Sequence, residues 1–281
     1  MIKFIADIGC NWKISDLEEE NWNNIVKIID ELYETDDITY VLFEAWNTES
    51  FISHNHPNYM DYFKQYELPI KFYSKIKELV ESKGMKLLVT PYDIYTINKL
   101  TASGINNFYI SNHDLDYKPM LDKISKVAKE LYVGTCNTTL TEIEDAHRVI
   151  KENYNGILTF IHSINKYPST IDNGDFYRLE EIRHTFPGTL IGYSGHSNIG
   201  DALILTNTAT AMGVTTIVIP FKTSGITPDT KYSFSLKETT YLIESNKTIH
   251  NVVNTSSSIN LNEANWGRRN PYTGKRPIFL S

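Results

Sequence analysis

The sequence has little cysteine, no long apolar run and no excess of positive charge. Its 281 residues include two cysteines, Cys10 and Cys136, far apart in the chain. That number and spacing cannot by themselves build a disulfide framework or a zinc site, so reduced thiols in a cytoplasmic protein are expected. No apolar stretch approaches the roughly 20 residues of a membrane-crossing helix, so no membrane partner is expected. No basic segment followed by a long apolar stretch opens the sequence, and a secretory signal is not expected. The net charge of −7, with no broad basic face, argues against nucleic acid as the main partner.

What is present is one pattern, repeated. Short runs rich in β-branched and aromatic residues predict strands at 4–8, 40–43, 87–89, 107–110, 131–133, 157–161, 189–193 and 216–219. Helical spacing of apolar residues marks 22–32 (Ile25, Ile28, Ile29, Leu32) and 66–83 (Ile70, Tyr73, Ile76, Leu79). Thr139 with Glu142 three residues on reads as a capping box opening a helix over 140–152. Further helices are expected at 169–186 and 201–212. Gly84, Gly104, Gly188 and Gly213 each precede a strand, as helix-ending glycines do. Eight strands alternating with helices predict an α/β chain folded as a closed (β/α)8 TIM barrel over residues 1–250. An open doubly wound sheet is the alternative. Residues 46–68 read as a long loop, either functional or mobile. Residues 251–281 read as a linker and a basic tail containing Trp266, Arg268 and Arg269.

In such a barrel, chemistry sits on the C-terminal ends of the strands. There this sequence places Asp7 and Asn11, then Glu44, then Thr90 and Asp93, then Ser111, Asn112 and Asp114. Thr135 and Asn137 follow, then His162, Asn165 and Tyr167, then Ser194 and His196, and last Lys222. Taken singly, several have plain readings. Thr90-Pro91 and Tyr167-Pro168 fit turn chemistry. Asp93 and Thr139 fit helix N-caps. His162, inside an apolar run, fits a satisfied core histidine. Their joint occurrence points to a small-molecule site.

The order of these motifs resembles the barrel domain of the sialic acid synthases, the NeuB-like family. Ala6-Asp7-Ile8-Gly9-Cys10-Asn11 is similar to its A-E-I-G-x-N, and Thr90-Pro91-Tyr92-Asp93 to its T-P-F-D. His162 through Tyr167-Pro168 is similar to H-C-x-x-x-Y-P, Gly192 through Ser197 to G-Y-S-D-H-T, and Pro228-Asp229 with Ser233 to P-D-H-x-x-S. The resemblance runs from about residue 2 to 245. It implies condensation of phosphoenolpyruvate with an N-acyl sugar in nonulosonic acid biosynthesis, assisted by a divalent metal on two histidines. It assigns catalytic roles to Asp7, Tyr167 and His196. It assigns ligand binding to Thr90, Ser111, Asn112, Asp114, Thr135, Asn165, Ser194, Lys222 and Asp229. It also implies an antifreeze-like domain after the barrel that reaches an arginine across a dimer; residues 251–281 are read as a tail in its place, and a homodimer is left open.

The same resemblance exposes losses. Leu42 and Tyr109 stand where two lysines should grip phosphoenolpyruvate, and Pro220 stands in place of the second histidine. Phosphoenolpyruvate carries about three negative charges, and each lost charge-assisted contact costs roughly 1.5–3 kcal/mol. Lys166, Lys222 or Lys231 could replace the missing cations, and so could Arg268 or Arg269 folded over the barrel mouth. Manganese or magnesium binding is expected only if Asp7, Asp229 or Glu44 completes a set around His196. Three readings follow: a diverged phosphoenolpyruvate-dependent synthase, a different sugar or keto-acid enzyme on the same barrel, or a non-catalytic sugar-binding relative.

Overall fold

All eight strands form where the sequence places them. The computed structural model describes residues 2–55, 57–164, 166–223 and 225–255. Its strands are β1 (Lys3–Asp7), β2 (Ile38–Ala45), β3 (Lys86–Pro91), β4 (Asn107–Ile110), β5 (Glu130–Gly134), β6 (Leu158–Ser163), β7 (Leu190–Ser194) and β8 (Thr216–Pro220). Each pairs in parallel with the next, and β1 pairs with β8, so the sheet closes into a barrel without an edge. The closing ladder sets Ile5 opposite Val218 and Asp7 opposite Pro220. The fold is the (β/α)8 barrel expected from the alternation of elements.

Ten helices lie among the described residues: α1 (Glu18–Tyr33), α2 (Thr48–Phe51), α3 (Pro57–Gln65), α4 (Lys71–Ser82), α5 (Ile94–Ala102), α6 (Lys118–Val127), α7 (Leu140–Lys151), α8 (Phe176–Thr185), α9 (Ile199–Ala211) and α10 (Leu236–Asn254). The amphipathic face of α1 buries Ile25, Ile28, Ile29 and Leu32 against the strands. Thr139 and Glu142 form the capping box of α7, and Asp93 caps α5 by accepting from the Thr96 amide at 2.7 Å. Gly84, Gly104, Gly188 and Gly213 all adopt positive φ. A second layer fills the bore: Ile5, Tyr40, Leu42, Leu88, Tyr132, Ile161 and Val218 pack on one another, with Tyr109 against them. Tyr40 meets Tyr132 edge-on at 5.5 Å. Its hydroxyl donates to Glu130, which Lys86 pairs at 2.6 Å, closing the floor.

Four expectations need correction. The helix expected over 66–83 begins only at Lys71, because Pro69 disfavours helical backbone at the residue before it. The segment 169–186 divides into a 3-10 turn, Ile171–Asn173, and α8. Residues 46–68 are not a bare loop: they carry α2 and α3, drawn together by Trp46, Phe51, Phe63 and Tyr92 in edge-on and tilted ring contacts. The Trp46 indole donates to the Phe63 carbonyl at 3.1 Å. The sequence reading also had no element where α10 lies. That helix buries Leu242 and Ile243 in the core and carries a polar seam beside them: buried Asn246 accepts from Thr210 Oγ1 at 2.6 Å and donates to Thr206 Oγ1 at 2.9 Å, both on α9. Asn165, Trp266, Arg268 and Arg269 lie outside the described residues.

Gly192 on β7 tests the packing of the bore. A Cβ there would sit 2.4 Å from Ile161 Cδ1 and 2.9 Å from the Thr216 carbonyl oxygen. The side chain of Ile161 can turn, but the ladder carbonyl cannot. Gly192→Ala is therefore expected to destabilise the fold by about 1–3 kcal/mol, read as a lower midpoint in urea unfolding.

Candidate functional site

Alternation along the strands decides what faces the bore. Ile5 and Asp7 of β1 project to one side, as do Leu42 and Glu44 of β2, and Leu88 and Thr90 of β3. The lower member of each pair joins the interior apolar layer. The upper member lines a cavity of about 110 Å³ at the C-terminal mouth of the barrel. Tyr92, Tyr109, Ser111, Asn112, Tyr167, Ser194 and His196 complete its wall above a floor of Leu42 and Val218. An adjoining cavity of about 100 Å³ shares Asp7, Glu44, Tyr167 and His196 and adds Asn11, Asp229 and Tyr232. The shared walls make these one site. Among the described residues, no lysine or arginine lines it.

The carboxyl groups of this site are held close and kept from water. The Asp7 carboxylate accepts from the Gly9 amide at 3.2 Å. Burial, and then the neighbouring Glu44 and Asp229, raise Asp7 well above the usual carboxylate range. Burial likewise lifts Glu44 to about 7; the Tyr92 hydroxyl, donating at 2.5 Å, works against that rise, and Asp229 adds to it. Asp229 accepts from the Cys10 amide at 2.6 Å and from the Tyr232 hydroxyl. That approach needs glycine at position 9, where φ is +47° and a Cβ would stand 2.3 Å from Asp229 Oδ2. Asn11 fixes the loop that carries Asp229. Its amide donates to the Phe221 carbonyl at 2.9 Å and to Ser233 Oγ at 2.8 Å, while its carbonyl accepts from Thr227 Oγ1 at 2.5 Å.

His196 lies between two aromatic rings, Tyr167 at 4.5 Å and Tyr232 at 5.1 Å between centroids. Burial lowers its pKa, which keeps the imidazole neutral, and its Nδ1 has no hydrogen-bond partner. Burial also pushes the Tyr167 hydroxyl up to about 12. The His196 backbone carbonyl accepts from the Ser169 amide at 2.8 Å, and the Ser169 and Ser197 hydroxyls meet at 2.7 Å. These contacts lock the loops after β6 and β7 together. Thr90 and Ser194 are only 3% and 5% exposed and line the first cavity.

Seven of the residues singled out from sequence thus line the first cavity: Asp7, Thr90, Ser111, Asn112, Tyr167, Ser194 and His196. Asp229 lines the adjoining one. Three others stand elsewhere. Asp114 closes a 3-10 turn, Asn112–Asp114, whose tight winding points Asn112 to the mouth and Asp114 away from it. Its Oδ2 is buried without a partner, and burial raises it to about 7. Lys222 lies beyond the barrel register, where Phe221 bridges to Phe234, and its ammonium donates to the Thr230 carbonyl at 2.6 Å. Thr135 bonds the Ile161 carbonyl at 3.3 Å and lines a larger cavity of about 700 Å³ between the loops after β5 and β6, which shares Cys136, Ser163 and Ile164 with the first and adds Lys166 and Arg178. His162 also lines that cavity. It is buried as expected, but it is not a satisfied core histidine: neither ring nitrogen has a hydrogen-bond partner.

Sequence reasoning did not assign site roles to Tyr92 or Tyr232, and it offered Glu44 only as a strand-end carboxylate that could help hold a metal. Tyr92 was legible as the residue after Thr90-Pro91. Tyr232 gave no signal, since only the fold of the 221–235 loop brings it to Asp229. The residues present do not fit a divalent metal. Among the described residues, no three His, Cys, Asp or Glu side chains are disposed to hold one, and Pro220 stands opposite Asp7 on the wall.

The NeuB family model matches residues 26–258. An uncharacterized protein of Methanocaldococcus jannaschii is 27% identical over 157 residues, covering 56% of this chain and 46% of that protein. N,N'-diacetyllegionaminic acid synthase of Campylobacter jejuni is 22% identical over 189 residues, covering 62% and 56%. The chain thus matches about half the length of these relatives. The solved N-acetylneuraminic acid (sialic acid) synthetase of Leptospira borgpetersenii superposes with a TM-score of 0.81 at 21% identity, covering 94% of this chain and 90% of that one. At that identity the likeness shows the shared fold.

The raised Glu44 gives the site a pH signature. A carboxyl with a folded pKa near 7, against an ordinary 4.5, favours the folded state at low pH. That contribution is lost as pH rises from about 4.5 to about 7. Glu44→Gln keeps the shape and removes the titration. The variant is expected to gain stability over the parent by up to about 3 kcal/mol at pH 8, with the gap closing towards pH 4.5. Thermal unfolding of both proteins across that range reads the difference; a gap independent of pH would contradict it.

Proposed function

The chain belongs to the NeuB family, and from that premise we propose that it acts in acidic-sugar biosynthesis on a sugar held at the barrel mouth. The sialic, legionaminic and pseudaminic acid synthases among its relatives support the pathway. One observation supports the ligand class. The mouth offers hydroxyls, an amide and carboxyl groups, and no cationic side chain among the described residues. Polyhydroxylated ligands use such groups as both donors and acceptors. The rings of Tyr167 and Tyr232 give an apolar face for the C–H side of a sugar ring.

The chemistry this site can perform is acid–base. Glu44 has a pKa near 7, which suits either direction of proton transfer at neutral pH. His196 is neutral and can accept a proton. Both line the two cavities, with Asp7 between them in the shared wall. In our reading they move a proton at the sugar's carbonyl end while Thr90 and Ser194 hold its oxygens.

Condensation with phosphoenolpyruvate is the finer reading carried by family resemblance, and the mouth does not favour it. Leu42 and Tyr109 line the wall where cations would be needed, and Asp7, Glu44 and Asp229 would repel an anion. A desolvated phosphate without matched cations is strongly disfavoured. We therefore place the protein as a sugar enzyme that uses acid–base chemistry.

Separate calorimetric titrations with N-acetylmannosamine and with phosphoenolpyruvate test this. Heat is expected with the sugar, and none with phosphoenolpyruvate at concentrations up to about 1 mM. Phosphoenolpyruvate binding in the micromolar range would restore the condensing synthase. Silence from every hexosamine derivative tried would remove the sugar site.

A further inference from the structure

His162 is a buried polar group that the barrel itself does not explain. It lies on β6 next to Ile161, which packs in the bore. Alternation therefore turns His162 outward, away from the bore. There it lines the larger cavity of about 700 Å³, whose other walls are the loop after β5, at Thr138, and the start of α8, at Asp175 and Arg178. The residue is 3% exposed, and neither ring nitrogen has a hydrogen-bond partner. A ring buried in this way gives up its contacts with water and regains none within the protein.

The walls restrict what can sit against that ring. Burial lowers the His162 pKa, and Arg178 acts in the same direction; Asp175 opposes both through its charge and its backbone carbonyl, without reaching hydrogen-bond geometry. The imidazole is therefore neutral, with one nitrogen donating and the other accepting. The charged residues of the lining balance, Lys166 and Arg178 against Asp175 and Glu181. Arg178 already donates to the Thr138 carbonyl at 2.5 Å and to Glu181 at 3.2 Å. That balance gives an anion no advantage over a neutral molecule. A metal ion does not fit either, since among the described residues no three His, Cys, Asp or Glu side chains are disposed to hold one. A polyhydroxylated molecule does fit, because each hydroxyl can donate or accept and so can meet whichever nitrogen it faces. Asn137 and Ser163 continue the same chemistry along the wall. The volume also lies within the range of roughly 300–1,000 Å³ that holds small organic ligands.

We propose that this chamber on the outer side of β6 is a second binding site, which takes a neutral polyhydroxylated group such as a sugar and reads it through His162. The site lies outside the bore and does not depend on the sugar reading of the mouth. It shares Cys136, Ser163 and Ile164 with the first mouth cavity. The group is therefore either the distal part of a molecule held at the mouth or a separate sugar.

NMR of the full chain carrying isotope-labelled histidine tests this, with N-acetylmannosamine, mannose and inorganic phosphate added in turn and His162→Phe used to identify the signal. A sugar is expected to shift both ring nitrogens of His162, and phosphate is not. By calorimetry, His162→Phe, which keeps a ring and removes both polar atoms, is expected to weaken binding of that sugar at least about tenfold. His162→Gln, which keeps a donor and an acceptor, is expected to weaken it less than about threefold. Thermal unfolding shows whether each variant is folded; if His162→Phe is not, the ring-nitrogen shifts and His162→Gln decide. Ser194→Ala at the mouth separates the two sites. Loss of affinity in both His162→Phe and Ser194→Ala means one sugar spanning both cavities. Loss in His162→Phe alone means a separate sugar, and the sugar reading of the mouth then fails while the chamber stands. Unchanged affinity in folded His162→Phe overturns the inference, and loss in Ser194→Ala alone leaves the mouth as the sugar site. The inference is also overturned if phosphate alone moves the ring, or if neither sugar does, water then being its only partner.

Discussion

Closure of the sheet between β1 and β8 is the constraint on which the rest depends. Once Asp7 pairs with Pro220, no strand has a free edge and every inward side chain is committed to one bore. Apolar side chains fill the lower layers, so the layer above them is cut off from water below and open only at the mouth. Polar residues in that upper layer are therefore desolvated by construction. The raised Asp7 and Glu44 follow from this position, and burial outweighs any single neighbour as the cause.

The loops then decide what those desolvated groups can do. The 221–235 loop, pinned through Asn11, delivers Asp229 to the mouth. The segment with α2 and α3 packs Phe51 and Phe63 around Trp46 and Tyr92, and Tyr92 reaches Glu44. The loops after β6 and β7 hold Tyr167 against His196. Each loop brings hydrogen-bonding groups or rings, and none of the described ones brings a cation to the lining. The result is a lining of carboxyls, hydroxyls and rings. A barrel scaffold leaves the groups at its mouth free to vary because its stability lies in the layers below.

Much of the site was legible because a parallel barrel places strand ends on one face. Asp7, Thr90, Ser194 and His196 could be gathered from their positions after apolar runs. Asp114 and Lys222 could not be separated from them by that rule. In each case the chain had already left strand geometry: the 3-10 turn rotates Asp114 away, and the Phe221–Phe234 bridge turns Lys222 towards its own loop. Period-two reasoning holds only while the ladder lasts. Helix α10 escaped notice for a related reason. Its buried Asn246 satisfies itself across a helix pair, and apolar periodicity carries no trace of that.

The sequence by itself determined the barrel, the order of its strands and the helix caps. These depend on residues near one another in the chain: β-branched runs, capping pairs and glycines that accept positive φ. It also placed Leu42, Tyr109 and Pro220 at strand positions where the family resemblance led one to expect two lysines and a histidine. Tertiary structure alone decided that Asp7, Glu44 and Asp229, separated by up to most of the chain, line one desolvated space with no lysine or arginine on its lining among the described residues. It likewise decided that Thr90 and Ser194 line the same mouth while themselves nearly buried. Charge neutrality and hydrogen-bond satisfaction are properties of a closed volume, and which side chains enter that volume is set only when the sheet closes.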